Sequence, residues 1–432
     1  MPFETAGSGR KSIAVIGAGI SGMGAAWLLS RTHNVTLFES ESRLGGHART
    51  MQAGPSQTPV DTGFIVFNYT NYPHLADMFA QLDVPVAPSR MSFGASINGG
   101  ALEYGLASLD ALFAQRRNAL DLRFLRMVRD IFRFNRTALD VSRANPTFTI
   151  GQLLETLGTG AWFRDYYLLP FSGAIWSTPT KQILDFPAHA MMQFFENHAL
   201  LNHSGQHQWY TVKGGSIEYV RRLELDLLAH GVDIRLKTPV QAVARNFSGT
   251  KVKTWGDTWQ HFDEVIFATH SDDTLSMLSD ATAQERAVLG AIKYQPNEAI
   301  LHSDPCAMPL RRKTWSSWVY TEGTSGRADR IGLTYWMNAL QPLPPGRDFF
   351  VTLNAQCDIK EELIWDQTTF RHPVYDLEAL AAQKEAASMN GQAHTWFCGA
   401  WMKNGFHEDG LASAHDVADA ILRLPSVQIA AE

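Results

Sequence analysis

Apolar residues fall in two alternating patterns along the first forty positions. Residues 13–16 form a continuous apolar run of strand length, Ala25, Ala26, Leu28 and Leu29 follow at helical spacing, and 35–38, apolar but for Thr36, is a second strand-length run. Strand, helix and strand in that order predict a parallel βαβ unit. Residues 1–70, 205–275 and 390–432 group with this unit. Between these pieces lie two stretches of different character. Helical spacing dominates near 71–82, 106–137 and 187–200, whereas 314–320, 331–337 and 349–354 read as strands. The whole pattern predicts an α/β chain, more specifically an α+β two-domain arrangement. One domain is discontinuous (1–70, 205–275 and 390–432). The other, 71–204 and 276–389, combines a mixed sheet with helices.

No residue from Ser12 to Ser30 is charged, a length that on paper spans a bilayer. Glycines at 17, 19, 22 and 24 argue instead for a phosphate-binding turn opening a helix. The segment also lacks the layout of a secretory signal. A cytoplasmic chain without a transmembrane helix is expected.

Gly17-Ala18-Gly19-Ile20-Ser21-Gly22 is a GxGxxG motif placed between the first strand and the first helix. Gly17 permits the tight turn, Gly19 admits a pyrophosphate close to the backbone, and Gly22 permits close helix–strand packing. The N–H groups at the helix start, including that of Ser21, favour an anion. Glu39 ends the second strand, twenty residues beyond Gly19, where a carboxylate accepts hydrogen bonds from ribose hydroxyls. An acid there disfavours a 2′-phosphate. On its own GxGxxG means little more than a tight turn; with strand, helix and acid in place it predicts dinucleotide binding. NAD and FAD are not separated by these residues.

Arg43-Leu44-Gly45-Gly46-His47 resembles the RxGG element of the flavin-containing amine oxidase and carotenoid desaturase superfamily. Thr238 to Val243 resembles the strand whose valine, here Val240, holds the adenine, and Ala268-Thr269 resembles its "AT" strand. Trp396 to Gly399, followed by Gly405 to Ser413, resembles the closing strand and helix. The resemblance spans residues 13–413. It implies FAD and a Rossmann-like FAD-binding domain carrying an inserted mixed-sheet and helical substrate domain. It also implies cofactor contacts from Arg43, Gly45, Gly46, His47, Gly63, Phe64, Val240, Gly399, Gly410 and Leu411. Two departures stand out. Ala400 occupies a position where many relatives carry an acid, so Glu408 or Asp409 is expected to take that task. The stretch 294–304, where amine oxidases carry a flavin-linked lysine, has none.

In Asp61-Thr62-Gly63-Phe64 the chain is expected to return to the flavin ring, with a glycine-broken strand as the plain reading. His47 is expected either to hydrogen-bond FAD or to accept a substrate proton, since histidine titrates near neutrality. Lys213-Gly214-Gly215-Ser216 is expected as a helix-opening loop. His189, His198, His203 and His207 match no metal spacing, and no metal site is expected. A single GxGxxG leaves no evident second dinucleotide site.

Composition adds three points. The net charge of −6 argues against nucleic acid as an electrostatic partner. Cys306, Cys357 and Cys398 lie far apart, so no disulfide framework is expected and a reducing compartment fits. Charged residues are only 19% and aromatics 11%, so apolar bulk is available beyond an ordinary core. Tyr166, Tyr167, Trp176, Phe194, Phe195, Tyr335 and Trp336 supply some of it, as core or as the lining of an apolar pocket. Against the acidic average, Arg116, Arg117, Arg123, Arg126, Arg129, Arg133 and Arg136 alternate with Phe113, Leu120, Phe124, Leu125, Val128, Ile131, Phe132 and Phe134. Residues 113–136 thus read as a peripheral contact with an anionic membrane, or as an ordinary amphipathic helix.

The segments DTGFIVFN, YLLPFSGAIWSTP, FFENHALL, TVKGGS and FCGAWMKNGFHEDGL are more specific. They resemble a bacterial group of FAD-binding oxidoreductases often encoded beside cyclopropane-synthase-like methyltransferases. Within it they resemble the methyl-branched fatty acid desaturases of furan fatty acid synthesis. That resemblance implies removal of two hydrogens from a methyl-branched unsaturated fatty acyl chain, phospholipid-linked, to give a diene. It also implies a partner methyltransferase and a place at the inner face of the membrane. Amine oxidation, carotenoid-type desaturation and a flavin- or lipid-binding scaffold without turnover are the alternatives.

Overall fold

The computed structural model describes residues 9–176, 180–201, 207–256, 258–324 and 330–424. Of the segments singled out above, His203 and 177–179 lie outside them.

The first apolar run is strand β1 (Ser12–Ile16), followed by helix α1 (Ile20–Leu29) and strand β2 (Asn34–Phe38). β1 lies at the centre of a five-stranded parallel sheet, between β2 and Glu264–Phe267; Asp233–Arg235 and Thr395–Phe397 form the edges. A parallel sheet is covered on both faces, which explains why β1 is apolar and buried from Ile13 to Ile16. α1 is uniformly apolar because it too is enclosed, packing against the C-terminal helix, here α4 (His407–Leu422). Val240–Asn246 begins a small antiparallel sheet beside this layer.

The substrate half is built on a seven-stranded sheet. Its order is Ile364–Val374, Lys293–His302, Phe350–Leu353, Gly332–Trp336, Trp318–Thr321, Phe93–Ile97, Leu102–Gly105. Call Lys293–His302 β3 and Ile364–Val374 β4; they pair antiparallel over ten positions. The predicted strands at 314–320, 331–337 and 349–354 are present with shifted ends. Phe93–Ile97 and Leu102–Gly105 are an addition to the first insertion, which periodicity painted as helical. Phe93–Ile97 is buried at every position and therefore shows no alternation.

Of the helices in the first insertion, α3 (Leu122–Ala144) packs into the core of this sheet, whereas α2 (Pro73–Gln81) packs against α4 on the nucleotide side. The arginine-rich run is not one helix. A 3₁₀ turn at Arg116–Leu120 precedes α3, and Phe124, Met127, Ile131 and Phe134 point into the core. Leu120 and Leu122 are instead 87% and 80% exposed. Asp130, in the same run, is wholly buried and accepts the Gly160 N–H at 2.9 Å.

The expectation of unpaired cysteines does not hold: Cys306 and Cys357 form a disulfide, Cα–Cα 6.3 Å. The connection between Leu353 and β4 folds back past the end of β3, where Asp304 accepts the Lys360 N–H, and this return brings the two together. The cysteines therefore give no support to a reducing compartment. Cys398 is buried and free. No helix among the described residues is long and apolar enough to cross a membrane.

Candidate active site

The nucleotide side is built from backbone. Gly17, at φ +98°, donates its N–H to the Phe38 carbonyl at 2.8 Å and so turns the chain between β1 and α1. A Cβ on Gly22 would lie 1.8 Å from the Gly17 oxygen, which accounts for glycine there. A Cβ on Gly19 would meet nothing within 4 Å, so the turn presents open space at that point. The 43–48 loop lies against it: Gly45 N–H donates to Ala18 O at 2.8 Å, and a Cβ on Gly46 would sit 3.0 Å from Gly19 Cα. Arg43 shapes this loop by donating to the Gly46 and Ala48 carbonyls at 2.8 and 3.2 Å, and it pairs with Glu41.

Glu39 accepts the Ala18 N–H at 2.8 Å and the Glu41 N–H at 2.8 Å, one through each oxygen. Lys237 and Thr238 donate their N–H groups to the Glu41 and Glu39 carbonyls, which sets Val240 beside the end of β2. The start of α4 closes the same region. A Cβ on Gly410 would lie 2.8 Å from Ser21 Oγ, and one on Gly24 would lie 2.5 Å from Leu411 Cδ1. Gly399 donates its N–H to Ser413 Oγ at 2.9 Å. A glycine turn with open space at Gly19, a helix N-terminus behind it and an acid at the second strand fit the pyrophosphate and ribose of FAD.

Glu408 and Asp409 are engaged by protein. Glu408 accepts the N–H groups of His74 and Leu75, both at 2.9 Å, and thereby caps α2. Asp409 accepts the Phe406 N–H at 2.9 Å and caps its own helix; burial pushes its carboxyl up to about 6. The arrangement gives both a structural task.

Where the chain returns at Gly63, side chains take over. A Cβ on Gly63 would strike the His47 carbonyl oxygen at 1.9 Å, so strand end and RxGG loop touch. Phe64 donates its N–H to that oxygen and stacks on His407 with centroids 3.9 Å apart. His407 in turn meets the Tyr219 hydroxyl at 2.6 Å. The His47 ring stacks on Phe370 at 5.0 Å and faces His372 at 5.7 Å and His270 at 6.0 Å. The Arg371 backbone lies close enough to favour the protonated ring, an effect smaller than that of burial. Burial lowers all four histidines: His47 to about 4, helped by His270 and Arg43; His270 to about 4; His372 and His407 to about 3. All four are neutral at pH 7.

Asp61 lies at the seam of the two domains. It accepts from Thr50 Oγ1 at 2.6 Å, Ser216 N and Oγ at 2.8 Å and Gln341 Nε2 at 2.9 Å. Its own N–H donates to Gln341 Oε1 at 3.0 Å. Burial pushes its carboxyl up to about 6 against these donors. The Lys213–Ser216 loop thus serves Asp61 through Ser216. A second seam contact is the Arg49–Asp366 ion pair.

His270, Phe370 and His372 escaped the sequence reading. His270 directly follows the Ala268-Thr269 pair, a signal that was available. Phe370 and His372 come from β4, whose position beside His47 is a matter of topology. His270, Asp272 and Asp273 are metal-ligand types close together, but Arg371 pairs with both aspartates.

No curated protein sequence matches the chain. Among solved structures, a fatty acid isomerase producing CLA from P. acnes is 15% identical, covering 97% of this chain and 100% of that one, TM-score 0.66. A redesigned putrescine oxidase is 16% identical over 96% and 99%, TM-score 0.67. A cyclohexylamine oxidase from Brevibacterium oxydans IH-35A is 14% identical over 96% and 100%, TM-score 0.64. These likenesses show the fold. The model of the family "Flavin containing amine oxidoreductase" matches residues 20–301, more than half the chain. The chain belongs to that family and is an FAD-dependent oxidoreductase.

Proposed function

We propose that this oxidoreductase dehydrogenates an unsaturated, methyl-branched fatty acyl chain carried on phospholipid, giving a diene. The observation that carries the reading is the face at His47, where four neutral histidines and apolar rings meet and no cation is needed to read the substrate. Lys293 opens β3 but is exposed and donates to the Gly290 carbonyl. A row of aromatic rings runs through the helical insertion, starting at Phe406, the residue before His407. Phe406 stacks on Phe194 at 5.2 Å, and contacts run on through Phe195, Phe171 and Tyr167 to Phe163. An apolar wall of that kind suits an acyl chain. The fatty acid isomerase of the same fold is in keeping with it.

Bound FAD supplies a two-electron acceptor. The chain's own part is to orient the acyl chain, exclude water and take the second hydrogen as a proton. His47 is the candidate for the last task, since a neutral imidazole keeps one ring nitrogen unprotonated. The substrate loses two electrons and two protons and gains one C=C bond.

Presentation from an anionic bilayer belongs to the same reading. Exposed Leu109, Leu120 and Leu122 share a surface with Arg116 and Arg117 at the Arg116–Leu120 3₁₀ turn, and Leu310 with Arg311, Arg312 and Lys313 joins them through the Lys313–Asp110 pair. Apolar tips among cations match an anionic lipid surface.

The test is anaerobic mixing of the FAD-loaded protein with candidate substrates. Bleaching by a methylated unsaturated phospholipid and not by amines supports the proposal. Bleaching by amines alone overturns it. Flotation with anionic vesicles tests presentation: loss of binding on changing Leu120 and Leu122 to Asp is the expected result, and unchanged binding rejects that surface.

A further inference from the structure

The ring proton of His372 is determined by a chain of hydrogen bonds that starts at two backbone groups. Asn354 lies beyond its strand at φ +48°, a conformation asparagine tolerates better than most residues. Its Oδ1 accepts the Glu298 N–H at 3.2 Å, and its Nδ2 donates to the Ile331 carbonyl at 3.0 Å. Turning this amide over would set nitrogen against N–H and oxygen against carbonyl, so its orientation is fixed. Asn354 Nδ2 also donates to Asn297 Oδ1 at 2.8 Å. With its oxygen so used, Asn297 must direct Nδ2 the other way, where it meets His372 Nδ1 at 2.8 Å. Nδ1 is then an acceptor, and a neutral imidazole with Nδ1 bare carries its proton on Nε2. Asn297 is 1% exposed, so water does not compete for either end of its amide.

We infer that Asn354 and Asn297 are positioning residues that hold His372 as the Nε2–H tautomer, so that His372 offers a donor where His47, 5.7 Å away, offers an acceptor. The His372 ring is locked, through two asparagines, by the Ile331 carbonyl. A donor on this face stabilises negative charge, which two-electron reduction places on the bound cofactor. An acceptor on the same face receives the substrate proton. The inference rests on the flavin pocket, not on which lipid or amine is oxidised. It also explains what an uncharged amide is doing between two strands of the sheet. A carboxylate at position 297 would pull a proton onto Nδ1 and raise the ring's affinity for protons.

The test is ¹⁵N NMR of histidine-labelled, FAD-loaded protein at neutral pH, with the His372 signals assigned by their absence in His372→Gln. The expected result is a protonated Nε2 and a bare Nδ1. A protonated Nδ1 in the unaltered protein overturns the inference and needs no further variant. Asn297→Asp is expected to move the proton to Nδ1 and bring the titration of His372 toward neutrality. Asn297→Ala is expected to give a mixture of tautomers. Both are expected to lower the midpoint potential of the bound flavin, with the flavin content of the purified protein unchanged. An Asn297→Asp protein that folds and shows the unaltered tautomer also overturns the inference. The tautomer is read without turnover, so failure of the acyl-chain reading leaves this result standing.

Discussion

The two faces that meet at His47 recognise by different means. On the nucleotide side, Gly17, Gly19, Gly22 and the 43–48 loop present backbone, and side chains matter chiefly by being absent. On the β3–β4 side, His372, Asn297 and Phe370 act through their side chains, and the backbone only holds them in register. A phosphate is met by N–H groups that every residue owns, so the constraint falls on shape. Proton transfer and contact with an apolar chain need particular functional groups, so the constraint falls on identity. The first face should therefore fail by steric collision, the second by loss of a proton or a partner.

The sharpest separation is expected at the glycines. Gly22→Ala drives a Cβ into the Gly17 carbonyl and is expected to cost about 3 kcal/mol or more, at the upper end of overpacking, with loss of flavin from the purified protein. Gly19→Ala meets no protein atom. It is expected to alter the apoprotein's stability by no more than about 1 kcal/mol, the scale of helix-cap changes, while still weakening FAD binding. Thermal melts with and without FAD check both. Equal effects in the apoprotein would break the distinction drawn here.

Next in size is the response to acid. His47, His270, His372 and His407 have folded-state values below the ordinary 6.5. Their contribution to stability is full above 6.5 and is lost as pH falls toward 4 and 3. Each contributes a slope approaching about 1.4 kcal/mol per pH unit inside that window. Asp61, raised to about 6, works the other way: its contribution is full below 3.8 and is lost as pH rises through 6. Denaturant titrations of the apoprotein are expected to show stability falling from pH 6.5 to 4. His372→Gln is expected to flatten that fall and the glycine variants to leave its slope unchanged.

Gln341→Leu probes the seam. It removes one donor from Asp61 and orphans the Asp61 N–H, at an expected cost of about 1–3 kcal/mol, with FAD content retained. The smallest effect is expected from Arg123→Ala. This guanidinium lies 4.6 Å from the Trp162 ring centroid on an exposed surface. Its loss is expected to change thermal stability by about 0.5–1 kcal/mol, the scale of an exposed cation–π contact.

What could be read in advance follows the same division. GxGxxG, Glu39 and the RxGG loop lie within one stretch of chain, and local geometry there is nearly the whole site. His372 is separated from His47 by most of the chain and reaches it only because β4 pairs with β3 at the sheet edge. No periodicity announces that pairing. Glu408 and Asp409 show the converse: their place at a helix start was legible, but α2 and the helix's own cap claim them. Phe124 and Ile131 were legible as apolar; whether they faced lipid or core depended on the helices beneath them.

The seam has a consequence for anyone recombining these domains. Asp61 and Arg49 belong to the nucleotide half, while Gln341 and Asp366 come from the inserted one, in segments far from either insertion boundary. A chimaera that grafts a relative's insertion onto this scaffold would be cut cleanly by sequence and still leave the buried Asp61 carboxyl and the half-buried Arg49 guanidinium without counterparts. Such a graft should carry Gln341 and Asp366 with it. A library in which they are free to vary tests whether functional recombinants recover both.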